Sequence, residues 1–338
     1  MNKQDVRVGV IGVGRMGQRH CRVFANLRRA EFVGVYDARP EAAQAIATQH
    51  EVRSFNDLDA LLDEVDAVSI AAPTPLHFEL ALRCIRAGVH VLIEKPITQT
   101  VAEAETLVAE AQRQRAADGS PLVVMLGHIE RFNTAYIELK NVLEGMTPLA
   151  VNFRRLSAIG SSNTDVDVVL DLMIHDLNLA LDLVGAPASF DASGLAALTQ
   201  TLDHVTAQLH YPGGPLVGLT ASRVTENKVR AIEVTAREAY LECNLLDKSI
   251  LVHRHTIGEY LNHNHRGVKY RQESIVERIQ VPIFESLFLE LQHFLDSIID
   301  GQLPKTSAVD GLETLRLTEA IRSRAMDYLA RSHAPAAV

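Results

Sequence analysis

The chain has 338 residues, which is long for a single hydrophobic core and favours two domains, and its 47% hydrophobic and 22% charged residues are typical of a globular protein. A formal net charge of -9 argues against a nucleic-acid partner, because phosphate binding requires a basic surface and no long run of Lys and Arg is present. The three cysteines are far apart and no apolar stretch approaches ~20 residues, so we expect no disulfides, no thiolate zinc site and no membrane segment, and we predict a cytoplasmic protein.

The first part of the chain alternates short apolar runs with amphipathic segments. The runs predicted to be buried strands are Val6–Ile11, Phe32–Tyr36, Ala67–Ala71, Val89–Ile93 and Leu122–Leu126. Helices are predicted between them, among them Pro40–Gln49 and Val101–Ala117. Apolar strands separated by helices indicate a parallel sheet that is covered on both faces. We therefore predict a doubly wound α/β domain over residues 1–127.

The pattern changes after residue 127 to a second domain over residues 128–338. Helices are predicted at Thr134–Leu143, Val169–Val184, Ser286–Ile299 and Val309–Tyr328. Strands separated by turn residues are predicted at Val205–His210, Leu216–Arg223, Arg230–Thr235 and Ala239–Cys243. This pattern indicates an α+β domain with a largely antiparallel sheet. Because one face of such a sheet is left to be covered, we expect a homodimer or a homotetramer.

A glycine-rich turn follows the first predicted strand. Gly12, Gly14 and Gly17 form the pattern GxGxxG, and a helix is predicted from about Met16. Gly12 permits a tight turn, Gly14 lets the backbone approach a pyrophosphate, and Gly17 allows the helix to pack closely on the strand. The helix N-terminus offers free N–H groups and the positive end of its dipole to phosphates. We therefore predict that Gly12, Gly14, Arg15, Met16 and Gly17 bind a dinucleotide.

An acidic residue ends the second predicted strand. Asp37 follows Gly17 by twenty residues and can accept hydrogen bonds from both hydroxyls of an adenosine ribose. Its carboxylate would repel a 2′-phosphate, so NAD is favoured over NADP, although Arg39 keeps NADP as an alternative. The glycines could also form a tight turn in a domain that binds nothing. The order of strand, turn, helix and acid favours a Rossmann domain that binds NAD.

Three further motifs follow in order along the chain. Ala71–His77 reads AAPTPLH, Glu94 and Lys95 begin the sequence EKP after the next strand, and Asp171 and His175 form a D-x-x-x-H pattern. Together with the glycine turn, these motifs resemble the Gfo/Idh/MocA family of dehydrogenases over nearly the whole chain. The resemblance implies that the nicotinamide end of the cofactor site is lined by Pro73, Thr74, His77, Glu94 and Lys95.

The same residues suit the oxidation of an alcohol. Asp171 and His175 are four apart on a predicted helix and so share one face, although a histidine on such a face is often a core residue. Lys95 ends a parallel strand, where ligands of open α/β sheets bind. Alcohol oxidation requires a base for the hydroxyl proton and a cation near the oxygen. We predict His175 as the base, Lys95 as the cation that stabilises the alkoxide, and Asp171 as the residue that orients one of them.

The stretch Gly127–Asn133, with the sequence GHIERFN, narrows the choice among possible substrates. It resembles the branch of the family that oxidises the C3 hydroxyl of UDP-N-acetylglucosamine with NAD⁺. The resemblance implies a 3-keto nucleotide sugar as product, a downstream aminotransferase and a place in lipopolysaccharide biosynthesis. The chain departs from the family pattern at two points. Thr134 stands where a proline usually follows the asparagine, and Asp167-Val168 stands where a Gly-Gly pair is often found.

A UDP-sugar requires cations for its diphosphate. Arg131, Arg154 and Arg155 are candidate bidentate donors. Side chains alternate along a strand, so Arg154 and Arg155 face opposite ways and we expect one of them to reach the site. For Arg155, a position on the surface is at least as well supported as a contact with the diphosphate. The predicted substrate-binding residues are His128, Arg131, Asn133 and Arg154, together with Lys95, Asp171 and His175.

A histidine cluster could indicate a metal site, and two other functions are alternatives to a nucleotide-sugar dehydrogenase. His253, His255, His263 and His265 form H-x-H pairs, but no acidic or thiolate partner is placed by the sequence, and hydride transfer to NAD needs no metal. We therefore predict no metal site. The alternatives to a nucleotide-sugar dehydrogenase are another sugar or inositol dehydrogenase on the same scaffold, and a catalytically silent sensor that binds a dinucleotide.

Overall fold

A computed structural model describes residues 5–160, 166–254, 259–261, 269–271 and 275–332. The contacts divide the chain into two compact units. The first unit comprises Met1–Phe132 and Phe284–Leu317, and the second comprises Asn133–Ile283 and Thr318–Val338. In the described part of the chain, no helix is both long enough and apolar enough to cross a membrane.

The first unit is built on a parallel sheet. Its strands are β1 (Val6–Ile11), β2 (Ala30–Tyr36), β3 (Arg53–Phe55), β4 (Ala67–Ile70), β5 (His90–Glu94) and β6 (Val124–Gly127). The helices between them are α1 (Arg15–Phe24), α2 (Pro40–His50), α3 (Leu58–Leu62), α4 (His77–Arg86) and α5 (Val101–Arg113). The sheet has the order β3-β2-β1-β4-β5-β6. The strand order therefore reverses between β1 and β4, which is where sheets of this kind bind their ligands.

The strands of this sheet are apolar because both faces are covered. β4 is buried along its whole length, and β1 is buried except at Arg7. One hydrophobic cluster on the sheet includes Ile70 and Ile85, and a second includes Val10 and Phe24. The predicted doubly wound fold is thus confirmed.

Within the first unit, the differences from the predicted elements lie in short segments and at the ends of helices and strands. β3 and α3 are not predicted, since elements of three and five residues are too short to show periodicity. α5 ends at Arg113 rather than at Ala117, because Gln114 adopts an extended conformation (φ -83°, ψ 161°). Arg115 then forms a β-bridge with Pro121.

The second unit is built on a largely antiparallel sheet. Its strands are β7 (Pro148–Leu156), β8 (Ser189–Leu195), β9 (His204–His210), β10 (Leu216–Ser222), β11 (Val229–Ala236), β12 (Ala239–Asn244) and β13 (Ser249–Arg254), followed by a separate pair, β14 (Glu259–Leu261) and β15 (Lys269–Arg271), and then by β16 (Ile275–Ile279). The large sheet has the order β16-β13-β12-β11-β7-β10-β9-β8. Its neighbouring strands are antiparallel except for β7 and β10, which are parallel. The predicted sheet type is confirmed.

Helices pack on this sheet and begin at side-chain caps. α6 (Thr134–Leu143) lies against β12 and β13, and α7 (Ile174–Leu183) lies against β10. The helix predicted over Val169–Val184 changes type along its length, because Val169–Met173 forms a π-helical turn directly before α7. Asp167 Oδ1 accepts hydrogen bonds from Val169 N at 2.9 Å and from Leu170 N at 3.2 Å, which satisfies free N–H groups at the start of this turn.

The chain then forms α8 (Ser286–Asp300) and α9 (Ala308–Ser332). The segment Phe284–Leu317 belongs to the first unit, whereas the sequence pattern predicts it in the domain over residues 128–338. Ion pairs and a hydrogen bond from a side chain to the backbone account for the difference. Arg29 Nη1 on the first unit lies 2.8 Å from both Asp296 Oδ1 and Asp300 Oδ2, and Thr306 Oγ1 donates to Leu126 O at 2.7 Å.

Candidate active site

The glycine turn joins β1 to α1 and has the geometry that a dinucleotide requires. Gly12 has a φ of +87°, and a Cβ built on it would lie 2.9 Å from the backbone that follows β4. A Cβ on Gly17 would lie 1.8 Å from Gly12 O, whereas a Cβ on Gly14 would meet no atom within 4 Å. Gly12 and Gly17 therefore need to be glycine for the fold itself, whereas Gly14 leaves an open side at the start of α1. Arg15 is exposed and Met16 is half-buried in the first turn of α1.

Asp37 lies at the end of β2, beside the glycine turn. Its Oδ2 accepts from Val13 N at 2.8 Å and its Oδ1 from Arg39 N at 2.9 Å, with Arg39 Nε at 3.4 Å. Burial alone would raise the pKa of Asp37, but these hydrogen bonds and the Arg39 charge lower it below its usual value. The carboxylate is thus held ionised at the position where a ribose is expected, while the Arg39 side chain is 70% exposed.

The loops after β4 and β5 are joined by a histidine. Both ring nitrogens of buried His77 lie 2.8 Å from carbonyl oxygens, Nδ1 from Pro96 O and Nε2 from Ala72 O. Pro73 is exposed and Thr74 is half-buried in a short turn of 3-10 helix between these contacts. The structure therefore gives His77 a role in holding the two loops together, and direct contact of His77 with a cofactor stays a prediction.

The carboxylate of Glu94, at the end of β5, belongs to a buried polar network. Glu94 Oε1 lies 3.0 Å from His20 Nε2, and His20 Nδ1 lies 2.7 Å from Ser69 Oγ. Glu94 Oε2 accepts from Lys95 N at 3.3 Å. His20 and Ser69 are fully buried, so the sheet and α1 hold Glu94 directly beside Lys95. The sequence predicts Glu94 and Lys95 at this site but not His20 or Ser69.

His128 and Arg131 follow β6 in the same unit. His128 is 2% exposed, and burial, followed by the positive charges of Arg131 and Lys95, lowers its pKa to about 3. The imidazole is therefore neutral at physiological pH. Arg131 N donates to His128 O at 2.9 Å in the turn Ile129–Phe132. The first unit thus brings together Lys95, His128 and Arg131.

The second unit contains the predicted acid and base. Asp171 lies in the π-helical turn and His175 in the first turn of α7, and both are half-buried. Single π-helical turns inside helices are frequent at functional sites. Asp176, next to His175, is buried and accepts from Arg155 Nε at 3.0 Å and from Arg155 Nη2 at 2.7 Å.

The two arginines on β7 face opposite ways, as predicted. Arg155 is 3% exposed and binds Asp176 in the core, so its interpretation as a surface residue is wrong. The reason is that the burial alternation of β7 directs Arg155 to the helix-covered face. Arg154 is about half exposed on the other face, with Nη2 2.7 Å from Glu233 Oε1.

Asn133 and the histidine pairs complete the predicted residues. Asn133 is buried and caps α6, since its Oδ1 accepts from Ala135 N at 3.1 Å while its Nδ2 donates to Leu245 O at 3.0 Å. His253 lies on β13, with Nε2 3.4 Å from Glu242 Oε2. The other three histidines of the cluster, His255, His263 and His265, lie outside the described residues.

Known proteins are similar to this chain over both units. A family model described as an oxidoreductase family with an NAD-binding Rossmann fold matches residues 6–117, and the Gfo/Idh/MocA C-terminal domain matches residues 155–242. UDP-N-acetylglucosamine 3-dehydrogenase from Acidithiobacillus ferrooxidans is 33% identical over 327 residues, which cover 96% of this chain and 99% of that protein. The chain belongs to the Gfo/Idh/MocA family.

Two further comparisons place this Gfo/Idh/MocA protein among its relatives. A solved structure of UDP-N-acetylglucosamine 3-dehydrogenase from the same organism is similar with a TM-score of 0.84 and 32% identity, covering 96% of this chain and 98% of that one. Inositol 2-dehydrogenase from Rhizobium meliloti is 27% identical over 337 residues, which cover 93% of this chain and 95% of that protein.

This Gfo/Idh/MocA protein is an NAD-dependent oxidoreductase, which confirms the predicted family, enzyme class and cofactor. The residues present fit NAD. The open side of Gly14 leaves room for a diphosphate at the N-terminus of α1, and the ionised Asp37 suits the hydroxyls of a ribose.

Proposed function

We propose that the chain oxidises the C3 hydroxyl of UDP-N-acetylglucosamine to the 3-ketone, with NAD⁺ as the acceptor. The observation that carries this proposal is the 33% identity to a UDP-N-acetylglucosamine 3-dehydrogenase across 96% of the chain. The stretch Gly127–Asn133 supports it, because His128 and Arg131 lie there beside Lys95. The ketone would serve a downstream aminotransferase, which fits lipopolysaccharide biosynthesis.

Three side chains carry the proposed chemistry. When held by the glycine turn and Asp37, NAD⁺ would supply the acceptor for the hydride that leaves the carbinol carbon. His175 takes the hydroxyl proton, and the Lys95 ammonium stabilises the negative charge that develops on the oxygen. Asp171 orients one of these two groups. Glu94 supports this role for Lys95, because it fixes the backbone N–H of Lys95 and places a negative charge near the ammonium.

We propose cations and polar groups for the rest of the substrate. Arg131 and Arg154 are the proposed donors to the diphosphate, with His128 and Asn133 as further contacts. Arg155 is excluded from this set, since its guanidinium is buried against Asp176. In this proposal residues 1–127 bind the cofactor and residues 128–338 bind the sugar, in a cytoplasmic homodimer or homotetramer.

An inositol or free-sugar dehydrogenase is the second candidate. The similarity to inositol 2-dehydrogenase over 93% of the chain favours it. Such a substrate has no diphosphate. The two candidates therefore differ in whether Arg131 and Arg154 contribute to substrate affinity.

Turnover with a panel of substrates tests the proposal. Purified protein is mixed with NAD⁺ and UDP-N-acetylglucosamine, UDP-N-acetylgalactosamine, myo-inositol or glucose, and the absorbance of reduced cofactor is followed. A ketone-trapping reagent is included so that an unfavourable equilibrium does not hide the reaction. We expect UDP-N-acetylglucosamine to give the largest kcat/KM. A larger value for myo-inositol would reject the nucleotide-sugar assignment.

Two variants test the catalytic residues. Lys95→Met and His175→Gln are expected to lower kcat by at least about 100-fold while the affinity for NAD stays near that of the wild type. Lys140→Met and His210→Gln are matched controls, because the Lys140 and His210 side chains are 43% and 42% exposed and pair with Asp182 and Asp191. Full activity of either Lys95→Met or His175→Gln would overturn the assignment.

A further inference from the structure

A glutamate is buried in the first unit, and the described part of the chain offers no hydrogen-bond partner for its carboxyl group. Glu290, on α8, is 0% exposed and lies on the same face as the core residues Leu287, Leu291 and Phe294. Among the residues that the structure describes, none forms a hydrogen bond with either of its carboxyl oxygens. An ionised carboxylate in such a place is strongly disfavoured, so the neutral acid is the stable form.

The charged group that acts on Glu290 is Glu94. Burial, and then the negative charge of Glu94, raise the pKa of Glu290 well above its usual value. Glu94 behaves in the opposite way. Burial would raise its pKa, but the His20 hydrogen bond and the charges of His20 and Lys95 lower it. Two neighbouring carboxyl groups are thus driven to different protonation states, which is a common arrangement in enzyme sites.

Glu94 has little freedom to move away from this arrangement. His20, itself fixed by Ser69, holds one carboxyl oxygen, and the backbone of Lys95 holds the other. A Cβ built on Gly127 would lie 3.0 Å from Glu94 Cδ, so the strand beside it is packed tightly against the carboxyl group. The charged groups that act on the pair are His20 on α1 and Lys95 after β5, both on Glu94. The other ionisable groups on the packed elements are Arg15, Arg19 and Arg22 on α1, His293, Asp296 and Asp300 on α8, and His128, Glu130 and Arg131 after β6.

We propose that Glu290 is a positioning residue for Lys95, because by carrying a proton it leaves Glu94 ionised and bonded to His20 and to the backbone of Lys95. The inference rests on the proposed catalytic role of Lys95. If Glu290 also ionised, a second negative charge would compete for the same cations and displace Glu94 from its hydrogen bonds. The expected result is a loss of turnover at high pH that comes from Glu290 and not from the base.

The protonation state can be measured without any substrate. Infrared spectra of the wild type at neutral pH should contain a carbonyl band of a protonated carboxylic acid that is missing in Glu290→Gln. In Glu94→Gln the pH at which this band disappears should fall by about one unit or more, because the neighbouring negative charge is gone. Glu285→Gln is the matched control, since Glu285 is exposed at the start of the same helix. No difference between wild type and Glu290→Gln would overturn the proposal.

The link to Lys95 is tested by the pH profile of kcat/KM, with whichever sugar supports turnover. In the wild type kcat/KM should fall about tenfold per pH unit above the pH at which the infrared band disappears. Glu290→Gln, which stays neutral, should lack this step, and Glu290→Met should lack it as well if Gln does not fold. A wild-type profile that passes this pH unchanged would overturn the positioning role. If no sugar were oxidised, the proposed function would fail while the infrared result still decided the state of Glu290.

Discussion

Replacing Arg155 by Met is expected to destabilise the second unit strongly. Arg155 Nε lies 3.0 Å from both carboxyl oxygens of Asp176, and Nη2 lies 2.7 Å from Oδ1, with side chains that are 4% and 5% exposed. Met keeps much of the aliphatic volume, so the main effect is a buried carboxylate that has lost its cation. Removing one partner of a buried ion pair costs about 3–5 kcal/mol, and we expect that loss for Arg155→Met.

The neighbouring arginine is a control on the same strand. Arg154 also forms an ion pair, with Glu233 at 2.7 Å, but its side chain is 48% exposed. An exposed pair contributes about 0–1 kcal/mol, so Arg154→Met should change the stability little. The double variant Arg155→Met/Asp176→Leu should recover most of the loss of Arg155→Met, because it leaves no buried charge.

Urea unfolding followed by circular dichroism measures these free energies in the absence of NAD. Hydrogen exchange of the amides in β7 and α7 then shows whether the loss lies in the second unit. A loss below about 1 kcal/mol for Arg155→Met would refute the reasoning, since it would mean that water reaches the pair. A double variant as unstable as Arg155→Met would show that shape, and not charge, dominates.

The remaining predictions concern the cofactor site and the buried histidine. Gly17→Ala should fold poorly, since its Cβ would lie 1.8 Å from Gly12 O, whereas Gly14→Ala should keep its melting temperature and bind NAD more weakly. Thermal unfolding and calorimetry with NAD distinguish the two variants, and equal effects would contradict the assigned roles. Asp37→Ser should lower the preference for NAD over NADP by about tenfold or more, which initial rates with each cofactor measure. Burial lowers the pKa of His128 to about 3 from 6.5, so between these pH values the unfolded chain binds a proton that the folded protein does not, and stability falls as pH falls. The free energy of unfolding of the wild type should therefore fall more steeply from pH 6 to pH 4 than that of His128→Asn, by up to about 1.4 kcal/mol per pH unit. Urea unfolding measures both pH dependences, and parallel curves would contradict this.

Elements with a strong local signal could be predicted from the sequence. α6 has the predicted bounds Thr134–Leu143, because Asn133 caps it and its apolar residues recur at helical spacing. β1 likewise has the predicted bounds. β7 was not predicted, although it is central in its sheet. Its residues Arg154 and Arg155 interrupt the apolar pattern, and the buried charge of Arg155 is tolerated only because Asp176 neutralises it.

The residues of the candidate site likewise fall into those with a local sequence pattern and those without one. The glycine turn and Asp37 could be predicted from a short stretch, because the backbone geometry itself forms the proposed cofactor site. The contact of His20 with Glu94 joins residues 74 positions apart, so no local pattern could reveal it. Glu290, by contrast, could have been noticed in the sequence. It occupies a core position of α8, between Leu287 and Leu291, where an acidic residue has no solvent to stabilise its charge.

The two departures from the family pattern stand at positions where the backbone accepts the residues present. Thr134 stands at the first position of α6 in place of proline, and Asn133 before it has an extended conformation (φ -69°, ψ 120°) that a following proline would also require. Val168 has a φ of -67°, so this position does not need glycine. Asp167 instead supplies a side chain that caps the π-helical turn containing Asp171, and Arg322 Nε binds its other oxygen at 2.5 Å. Both substitutions thus preserve the helix starts that carry the proposed substrate residues, one at Asn133 and the other before Asp171 and His175.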